Sequence, residues 1–310
     1  MRMQPRPAVA VGMEESFNLA VVALKVSVLV LVLAIGLGTT WSEATYLFRR
    51  PRLLANSILA RNVAVPVVAV LLIAASRFQV AVAIALGVLA VTPVPPLLPK
   101  SQLQAGCRSN YVLSLLVSQS LLAVVLVPVT IALMNLALGT GVHFSTGRVA
   151  ALVSETVLVP LAAGMGAAAL RPRLRRIAPG VSVVGLVLLA AGFLPLLVLG
   201  WNAFHTLAGN GALLAIAVFV IAGLAAGHFL GGPRPEDRTA LALGASSRHP
   251  GLAFAIARAN FPEQARAVAG AIVIYLILRV LLSTPYLLRM RHRRRSPGLG
   301  ALDGARQPHA

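Results

Sequence analysis

Long apolar runs separated by short polar segments dominate the pattern of hydrophobic positions along the chain. A helix needs about 20 residues to cross a hydrocarbon core about 30 Å thick, and nine runs have about that length. We number them crossings 1 to 9; they cover residues 17–39, 54–76, 79–104, 110–138, 148–170, 178–200, 209–231, 237–257 and 264–288. The pattern therefore predicts an all-α polytopic membrane protein with a transmembrane domain over residues 17–289.

Two of these runs contain residues that interrupt a helix. Crossing 3 carries a proline cluster past its middle: Pro93, Pro95, Pro96 and Pro99. Each proline removes a backbone donor and clashes with the preceding turn. Crossing 8 is interrupted by glycine, serine and proline in "GASSRHPGLA", residues 244–253. Because crossings 3 and 8 are an odd number of crossings apart, the chain passes through them in opposite directions. This arrangement predicts an inverted repeat of residues 17–138 and 148–289.

Unwound backbone at membrane depth is tolerated only where it is buried in protein or faces a water-filled cavity. We therefore expect a substrate site where the two breaks meet. The candidate substrate-binding residues are Ser246, Ser247, Arg248 and His249 in crossing 8, Pro95 and Pro96 in crossing 3, and Arg61 and Asn62 in crossing 2. Glu155 and His249 are candidates for proton coupling, because carboxylate and imidazole groups can exchange protons inside membrane proteins.

Composition supports the membrane assignment, and charge adds the topology. The chain is 58% hydrophobic and 11% charged, with a net charge of +19. Its basic residues concentrate in alternate loops, after crossings 1, 3, 5, 7 and 9. By the positive-inside rule these loops are cytoplasmic. In the inner membrane the N-terminus is therefore predicted to be extracytoplasmic and the C-terminus cytoplasmic. The charge is then explained by topology and contact with anionic lipid, and nucleic-acid binding is not predicted.

Outside the transmembrane domain the sequence predicts only short ends. Residues 1–16 form an extracytoplasmic N-terminal segment, and residues 290–310 form a basic and then disordered cytoplasmic tail. Glu14 and Glu15 precede crossing 1, whose apolar run is longer than the core of a secretory signal. Crossing 1 is therefore expected to be a retained helix.

The sequence carries no motif for catalysis or for a bound metal. Its single cysteine, Cys107, excludes an intrachain disulfide and a cysteine-rich metal site. Zinc-protease, phosphate-loop and serine-hydrolase signatures are all missing from it. We therefore predict that the protein is not an enzyme and has no cofactor.

The charges inside the crossings favour an anionic ligand. An ionised side chain near the bilayer centre costs roughly 2.5 kcal/mol or more, so it usually faces the protein interior. The basic residues at such positions are Lys25, Arg61, Arg248 and Arg279, against the single acid Glu155. The planar guanidinium of Arg248 suits a carboxylate or sulfonate. Arg248 either contacts the substrate anion or clamps the unwound backbone, and the sequence leaves both roles open.

Three segments resemble the bile acid:sodium symporter family of secondary transporters and its bacterial relatives. They read "VLVLAIGLGTTWSEATYLFRRPRLL", "PLLPKSQLQAGCRSNYVLSLLV" and "ALGASSRHPGLAFAIA". The third is the most specific, because a polar run there ends in a residue pair followed by Gly-Leu-Ala, residues 251–253. The resemblance implies two crossing discontinuous helices, a core domain of crossings 2, 3, 4, 7, 8 and 9, a panel domain of crossings 1, 5 and 6, and transport by alternating access.

The sequence departs from the sodium-coupled members of that family at their sodium ligands. Those members carry an acid and a glutamine in the second broken helix, where this chain has Gly244 and Arg248. Residues 98–99, Leu-Pro, replace a Ser-Asn pair, and Val112 and Leu116 replace hydroxyl ligands. Sodium needs oxygen ligands, whereas a guanidinium offers only donors. The resemblance therefore implies a transporter that has lost the family's sodium sites.

The sequence as a whole predicts a secondary transporter that moves a small organic anion across the bilayer. The alternatives that stay open are a sodium-coupled symporter with relocated ligands, an arsenite-type efflux carrier and a non-transporting membrane receptor. The substrate, the direction of transport, the coupling ion and the oligomeric state are not predicted.

Overall fold

The computed structural model describes residues 8–75, 79–95, 98–138, 144–207 and 211–295. Every regular element in these ranges is helical, so the predicted all-α class is confirmed. The α-helices are α1 Ala8–Gly38, α2 Trp41–Ala44, α3 Pro51–Ile58, α4 Val65–Ala75, α5 Val80–Val91, α6 Leu98–Gln104, α7 Ser109–Leu138, α8 Thr146–Val153, α9 Val159–Leu170, α10 Ala178–Leu207, α11 Ala212–Leu230, α12 Pro235–Ser246, α13 Pro250–Asn260 and α14 Ala265–Arg295. Short 3₁₀ turns cover Pro172–Ile177 and Pro262–Gln264.

Six helical segments in the described ranges are long and apolar enough to cross a membrane. They are Leu19–Gly38, Pro51–Ala75, Thr146–Leu170, Pro172–Pro195, Ala212–Leu230 and Pro262–Met290. Helix α7 makes a seventh if its two parts, which meet at 60°, count as one span. The bend falls one turn before Pro128, which cannot donate to the carbonyl four residues earlier. The protein is thus polytopic, with six or seven such spans in the described residues, and the count of nine crossings stays a prediction.

Both interruptions lie where the sequence predicts them. The first run ends with α5 at Val91, the chain becomes extended at Thr92, and α6 begins at Leu98. The second run ends with α12 at Ser246, and α13 begins at Pro250, where a proline is compatible with the first helical turn. Helix α5 packs against α13, and α6 packs against α12. The two extended segments therefore lie side by side within the bundle.

Helices α1, α8, α9 and α10 form one layer of the protein, which we call the panel layer. Helix α1 lies between α9 and α10 and packs closely against both. A Cβ atom on Gly36 would lie 2.6 Å from the carbonyl oxygen of Leu161 in α9, and one on Gly192 in α10 would lie 2.9 Å from that of Ala20 in α1. Only glycine allows this approach of the backbones, so the panel layer is tightly packed at these positions.

Polar contacts mark the two ends of the bundle. At one end, Arg50 lies 3.8 Å above the ring of Tyr46, and Arg108 lies 3.8 Å from the carboxylate of Asp237. This end contains loops predicted to be cytoplasmic, and we call it the basic end. At the other end, the Ser145 N–H donates to Asn260 Oδ1 at 2.9 Å.

Several predicted boundaries differ from the structure. Helix α1 already begins at Ala8, so the predicted N-terminal segment is partly helical. Helix α14 continues to Arg295, so the first basic residues of the predicted tail extend a helix. Residues 296–310, predicted to be disordered, lie outside the described residues. Two crossings also contain π-helical segments, Leu59–Ala64 and Ser154–Leu158.

Candidate functional site

Arg61 joins the two extended segments from the side of crossing 2. It lies in the first π-helical segment and is 1% exposed. Its Nη1 atom donates to the carbonyl oxygens of Gly244 and, at 3.2 Å, Ser247. Its Nη2 atom donates to the carbonyl oxygen of Thr92 at 2.9 Å. One guanidinium therefore connects the breaks of both interrupted helices.

Arg248 makes the reciprocal set of contacts from crossing 8. It is also 1% exposed, and its Nη2 atom donates to the carbonyl oxygen of Arg61 at 2.9 Å. Its Nη1 atom donates to the carbonyl oxygens of Ala90 at 3.2 Å and Thr92 at 3.5 Å. We call Arg61, Arg248 and the carbonyls that they contact the arginine clamp.

The clamp follows from the way the interrupted helices end. The last carbonyls of an α-helix have no partner within the helix, and this end carries partial negative charge. Helices α5 and α12 both end at the crossover, where Ala90, Thr92, Gly244 and Ser247 present such carbonyls. Guanidinium groups supply several N–H donors in a fixed plane, together with a positive charge. The two arginines therefore satisfy carbonyls that would otherwise be buried without donors.

Two hydroxyl groups hold the break in crossing 8. The Tyr275 hydroxyl in α14 accepts a hydrogen bond from the Arg248 N–H at 2.6 Å and donates to the Ser246 carbonyl at 2.9 Å. The Thr92 hydroxyl accepts from the His249 N–H at 3.3 Å. Backbone groups freed by the break thus find side-chain partners, which permits an extended segment at this depth.

A cavity of about 420 Å³ lies between the crossover and the panel layer, and we call it the crossover cavity. Its apolar wall is built largely from α10, with Leu186, Leu189 and Phe193. Leu98 and Ser101 of α6 border it as well, which places it on the basic-end side of the crossover. Its size and its mixture of apolar walls with a few polar groups are typical of small-molecule sites.

The polar lining of the crossover cavity is basic. Arg248, His249 and Arg279 line it, and no carboxylate is found among its described lining residues. Arg279 donates from Nε to Ser247 Oγ at 2.8 Å, while no hydrogen bond joins its Nη atoms to a residue that the structure describes. His249 accepts from the Leu252 N–H at Nδ1, so its neutral ring carries the proton on Nε2. Within the described part of the protein, this buried Nε2 has no partner.

The structure brings some of the predicted site residues together and separates others. Arg248, His249 and Pro95 line the crossover cavity, and Ser247 adjoins it through Arg279. Ser246 is buried in the last turn of α12. Pro96 lies outside the described residues.

Arg61 and Asn62 lie on the other side of the crossover. They border a space of about 10 Å³, which is too small for an organic substrate. Asn62 donates to Gln119 Oε1 at 2.9 Å. Glu155 is exposed in the second π-helical segment and does not line the crossover cavity. The structure therefore separates this carboxylate from the other candidate, His249.

The sequence reasoning missed Thr92, Tyr275 and the cavity wall from α10. Thr92 is the first polar residue after a twelve-residue apolar stretch, directly before the proline cluster, so its position was a usable signal. Tyr275 is one aromatic residue among apolar neighbours, and the lining residues of α10 resemble its lipid-facing ones. Neither has a feature in the sequence that reveals its partner. Among the described residues, no cluster of acidic, histidine or cysteine side chains could hold a metal ion.

Two interrupted helices that meet inside a polytopic bundle, beside a cavity between its layers, are features of secondary transporters. The chain matches the family described as Sodium Bile acid symporter family over residues 25–207, more than half of its length. It belongs to this family, and it is therefore a membrane transporter of organic anions or similar small molecules. The match includes the first interrupted helix and ends with α10, before the second. Comparison with curated proteins gave no match.

Proposed function

We propose that the protein moves a small organic anion with an apolar body across the inner membrane, by alternating access and without bound sodium. The observation that carries this proposal is the crossover cavity, whose polar lining is basic and whose remaining wall is apolar. An anion would place its charged group near Arg279 and His249 and its apolar body against α10.

The charge around the cavity supports an anionic ligand. Arg279 offers a guanidinium whose terminal nitrogens are not engaged by described residues, and such a group can bind a carboxylate or sulfonate with two hydrogen bonds. Helix α13 begins at Pro250 on the cavity lining, and the N-terminus of a helix carries partial positive charge. Arg248 adds positive charge, although its terminal nitrogens are occupied by carbonyls. We therefore assign Arg279 to the substrate and Arg248 to the clamp.

The arginine clamp also supports transport without sodium. Sodium ions bind oxygen ligands, and exposed carbonyls at helix breaks are a common source of them. Here the carbonyls of Ala90, Thr92, Gly244 and Ser247 already accept hydrogen bonds from guanidinium groups. The two positive charges at the crossover thus belong to side chains. A transport cycle based on this site therefore does not need sodium to neutralise these carbonyl groups.

The position of the cavity suggests the conformational state. With the basic end in the cytoplasm, the cavity lies on the cytoplasmic side of the crossover. On the other side, α13 packs against α1 of the panel layer, and a Cβ atom on Gly251 would lie 3.7 Å from Leu24 Cδ2. We propose that the panel layer moves relative to the crossover, so that this contact opens when the cavity closes.

Thermal stabilisation of the detergent-purified protein tests the proposed ligand class. Alkyl carboxylates and alkyl sulfonates of increasing chain length are added in sodium chloride or in choline chloride. A ligand at 100 times its Kd stabilises the native state by about 2.7 kcal/mol. We expect the melting temperature to rise with chain length up to the size of the cavity, equally in both salts. Uptake into proteoliposomes is then measured for the most stabilising anion.

Each alternative gives a different result. Stabilisation only in sodium chloride would indicate a sodium-coupled symporter with relocated ligands. Stabilisation by arsenite and not by organic anions would indicate an arsenite carrier. Binding without flux in proteoliposomes would indicate a receptor. Any of these results would overturn the proposed function.

Replacement of Arg279 by glutamine tests the proposed anion contact. We expect uptake to fall about tenfold or more, since a hydrogen bond to a charged group contributes about 1.5–3 kcal/mol. The melting temperature without ligand should change little, because Arg279 is only partly buried. Arg266→Gln, an exposed position on the same helix at the opposite end, is the matched control. Unchanged uptake by Arg279→Gln would show that the anion binds elsewhere.

A further inference from the structure

A second large cavity lies on the lateral surface of the bundle, away from the crossover. It has a volume of about 370 Å³ and lies between the ends of α11 and α14. His228 and Phe229 line it from α11, and Tyr286 and Arg289 line it from α14. We call it the lateral cavity. None of the residues of the proposed transport site borders it.

The surroundings of the lateral cavity are apolar and exposed. Ile221, which lines it, is 49% exposed, and Phe229 is 82% exposed. Leu281 and Leu288 on α14 are also exposed. In a helix that crosses a membrane, such residues face lipid chains. The cavity is therefore accessible from the bilayer and is bordered by surfaces suited to acyl chains.

The inner part of the lateral cavity contains an ordered polar pair. His228 Nδ1 lies 2.9 Å from the Tyr286 hydroxyl, and the two rings meet at 89° with centroids 5.7 Å apart. This contact joins α11 to α14 and fixes the orientation of the imidazole.

The charge of the lateral cavity is positive at its basic end. Arg289 is exposed there and lines the cavity, and no acidic side chain is among the described lining residues. Arg291, Arg293, Arg294 and Arg295 follow it on the last turns of α14. Basic residues next to a membrane surface attract anionic lipid by about 1 kcal/mol each, and basic pockets between helices bind lipid head groups.

We propose that the lateral cavity binds an anionic phospholipid of the leaflet at the basic end. The phosphate group lies against Arg289, and the acyl chains follow Ile221 and Phe229 towards the bilayer centre. The bound lipid joins α11 to α14 near Arg289, which is about ten residues along α14 from the proposed anion contact Arg279. This inference does not depend on the transported substrate.

Stabilisation by lipid tests this site on the intact, delipidated protein in detergent. Phosphatidylglycerol, phosphatidylcholine and inorganic phosphate are added separately, and the melting temperature is measured. We expect phosphatidylglycerol alone to raise it. Arg289→Gln should lose most of this shift, because the phosphate loses its charged partner. Arg289 is exposed, so its replacement leaves the fold intact.

Arg173→Gln is the matched control, since Arg173 is another exposed arginine in a predicted cytoplasmic loop but lies in the panel layer's connection between α9 and α10. This variant should keep the full shift. An equal loss in Arg173→Gln would show diffuse attraction to the surface charge. An equal shift with phosphatidylcholine would show apolar filling without head-group recognition. An equal shift with inorganic phosphate would show a site for the free anion. Each of these three results overturns the proposal.

Discussion

Replacement of Arg248 by glutamine is expected to abolish uptake and to lower the stability of the protein. Two carbonyl groups, of Arg61 and Ala90, lose a guanidinium donor in this variant. A buried polar group without a partner costs about 1–3 kcal/mol. Each kcal/mol corresponds to about 2–4 °C for a protein of 150–250 residues, so we expect a fall of about 5 °C or more in melting temperature. The measurements are uptake into proteoliposomes and thermal unfolding without ligand.

The pairing of stability with uptake distinguishes the clamp from a substrate contact. Arg279→Gln is the comparison, since it should lose uptake and keep its melting temperature. Arg61→Gln should resemble Arg248→Gln, and the double variant should lose less stability than the sum of both, because the two side chains share Thr92 and each other's backbone. An Arg248→Gln protein with normal stability but no uptake would contradict the clamp and assign Arg248 to the anion.

A covalent link between α1 and α13 is expected to stop transport completely. Leu24 of α1 and Gly251 of α13 face each other where the two helices pack together. In the proposed cycle this contact closes the extracytoplasmic side of the crossover. Cysteines at both positions, in a protein with Cys107→Ala, can be joined by oxidation or by a short bifunctional reagent. If the panel layer must move away from α13 in each cycle, uptake falls to background and returns after reduction.

A cysteine pair inside the panel layer is the control for this experiment. A Cβ atom on Gly185 would lie 2.7 Å from Leu31 Cγ, so Leu31→Cys with Gly185→Cys places two thiols between α1 and α10. These helices move together in the proposed cycle, and their link should leave uptake unchanged. Full uptake by the linked Leu24→Cys, Gly251→Cys protein would contradict movement of α1 relative to α13.

The sequence predicted the interrupted helices because their signals are local. Proline removes a backbone donor wherever it stands, so the cluster that begins at Pro93 required an end of α5 nearby. Glycine, serine and proline within residues 244–251 had the same effect in crossing 8. The match in position between the two breaks also indicated that they meet. These features depend on the chain's own backbone and need no knowledge of its neighbours.

The roles of the arginines could not be predicted in the same way. Arg61 and Arg248 bind backbone carbonyls, and every residue has a carbonyl, so no sequence pattern marks these partners. The missing carboxylates suggested an anionic ligand for Arg248, although the same lack of carboxylates also fits a clamp on backbone oxygens. The π-helical segment that holds Arg61 likewise depends on packing around it. The panel wall was missed because its residues are as apolar as residues facing lipid.

The cations of the arginine clamp cannot dissociate, so they cannot couple transport to an ion gradient. A symporter that releases sodium with each substrate draws on the ion gradient, whereas guanidinium groups fixed in the chain stay behind. A univalent anion carried alone makes each turnover electrogenic. A membrane potential of 100 mV, negative inside, is worth about 2.3 kcal/mol per charge, or an about 50-fold concentration ratio. With fixed cations the potential alone expels the anion, so we expect net efflux from an energised cell.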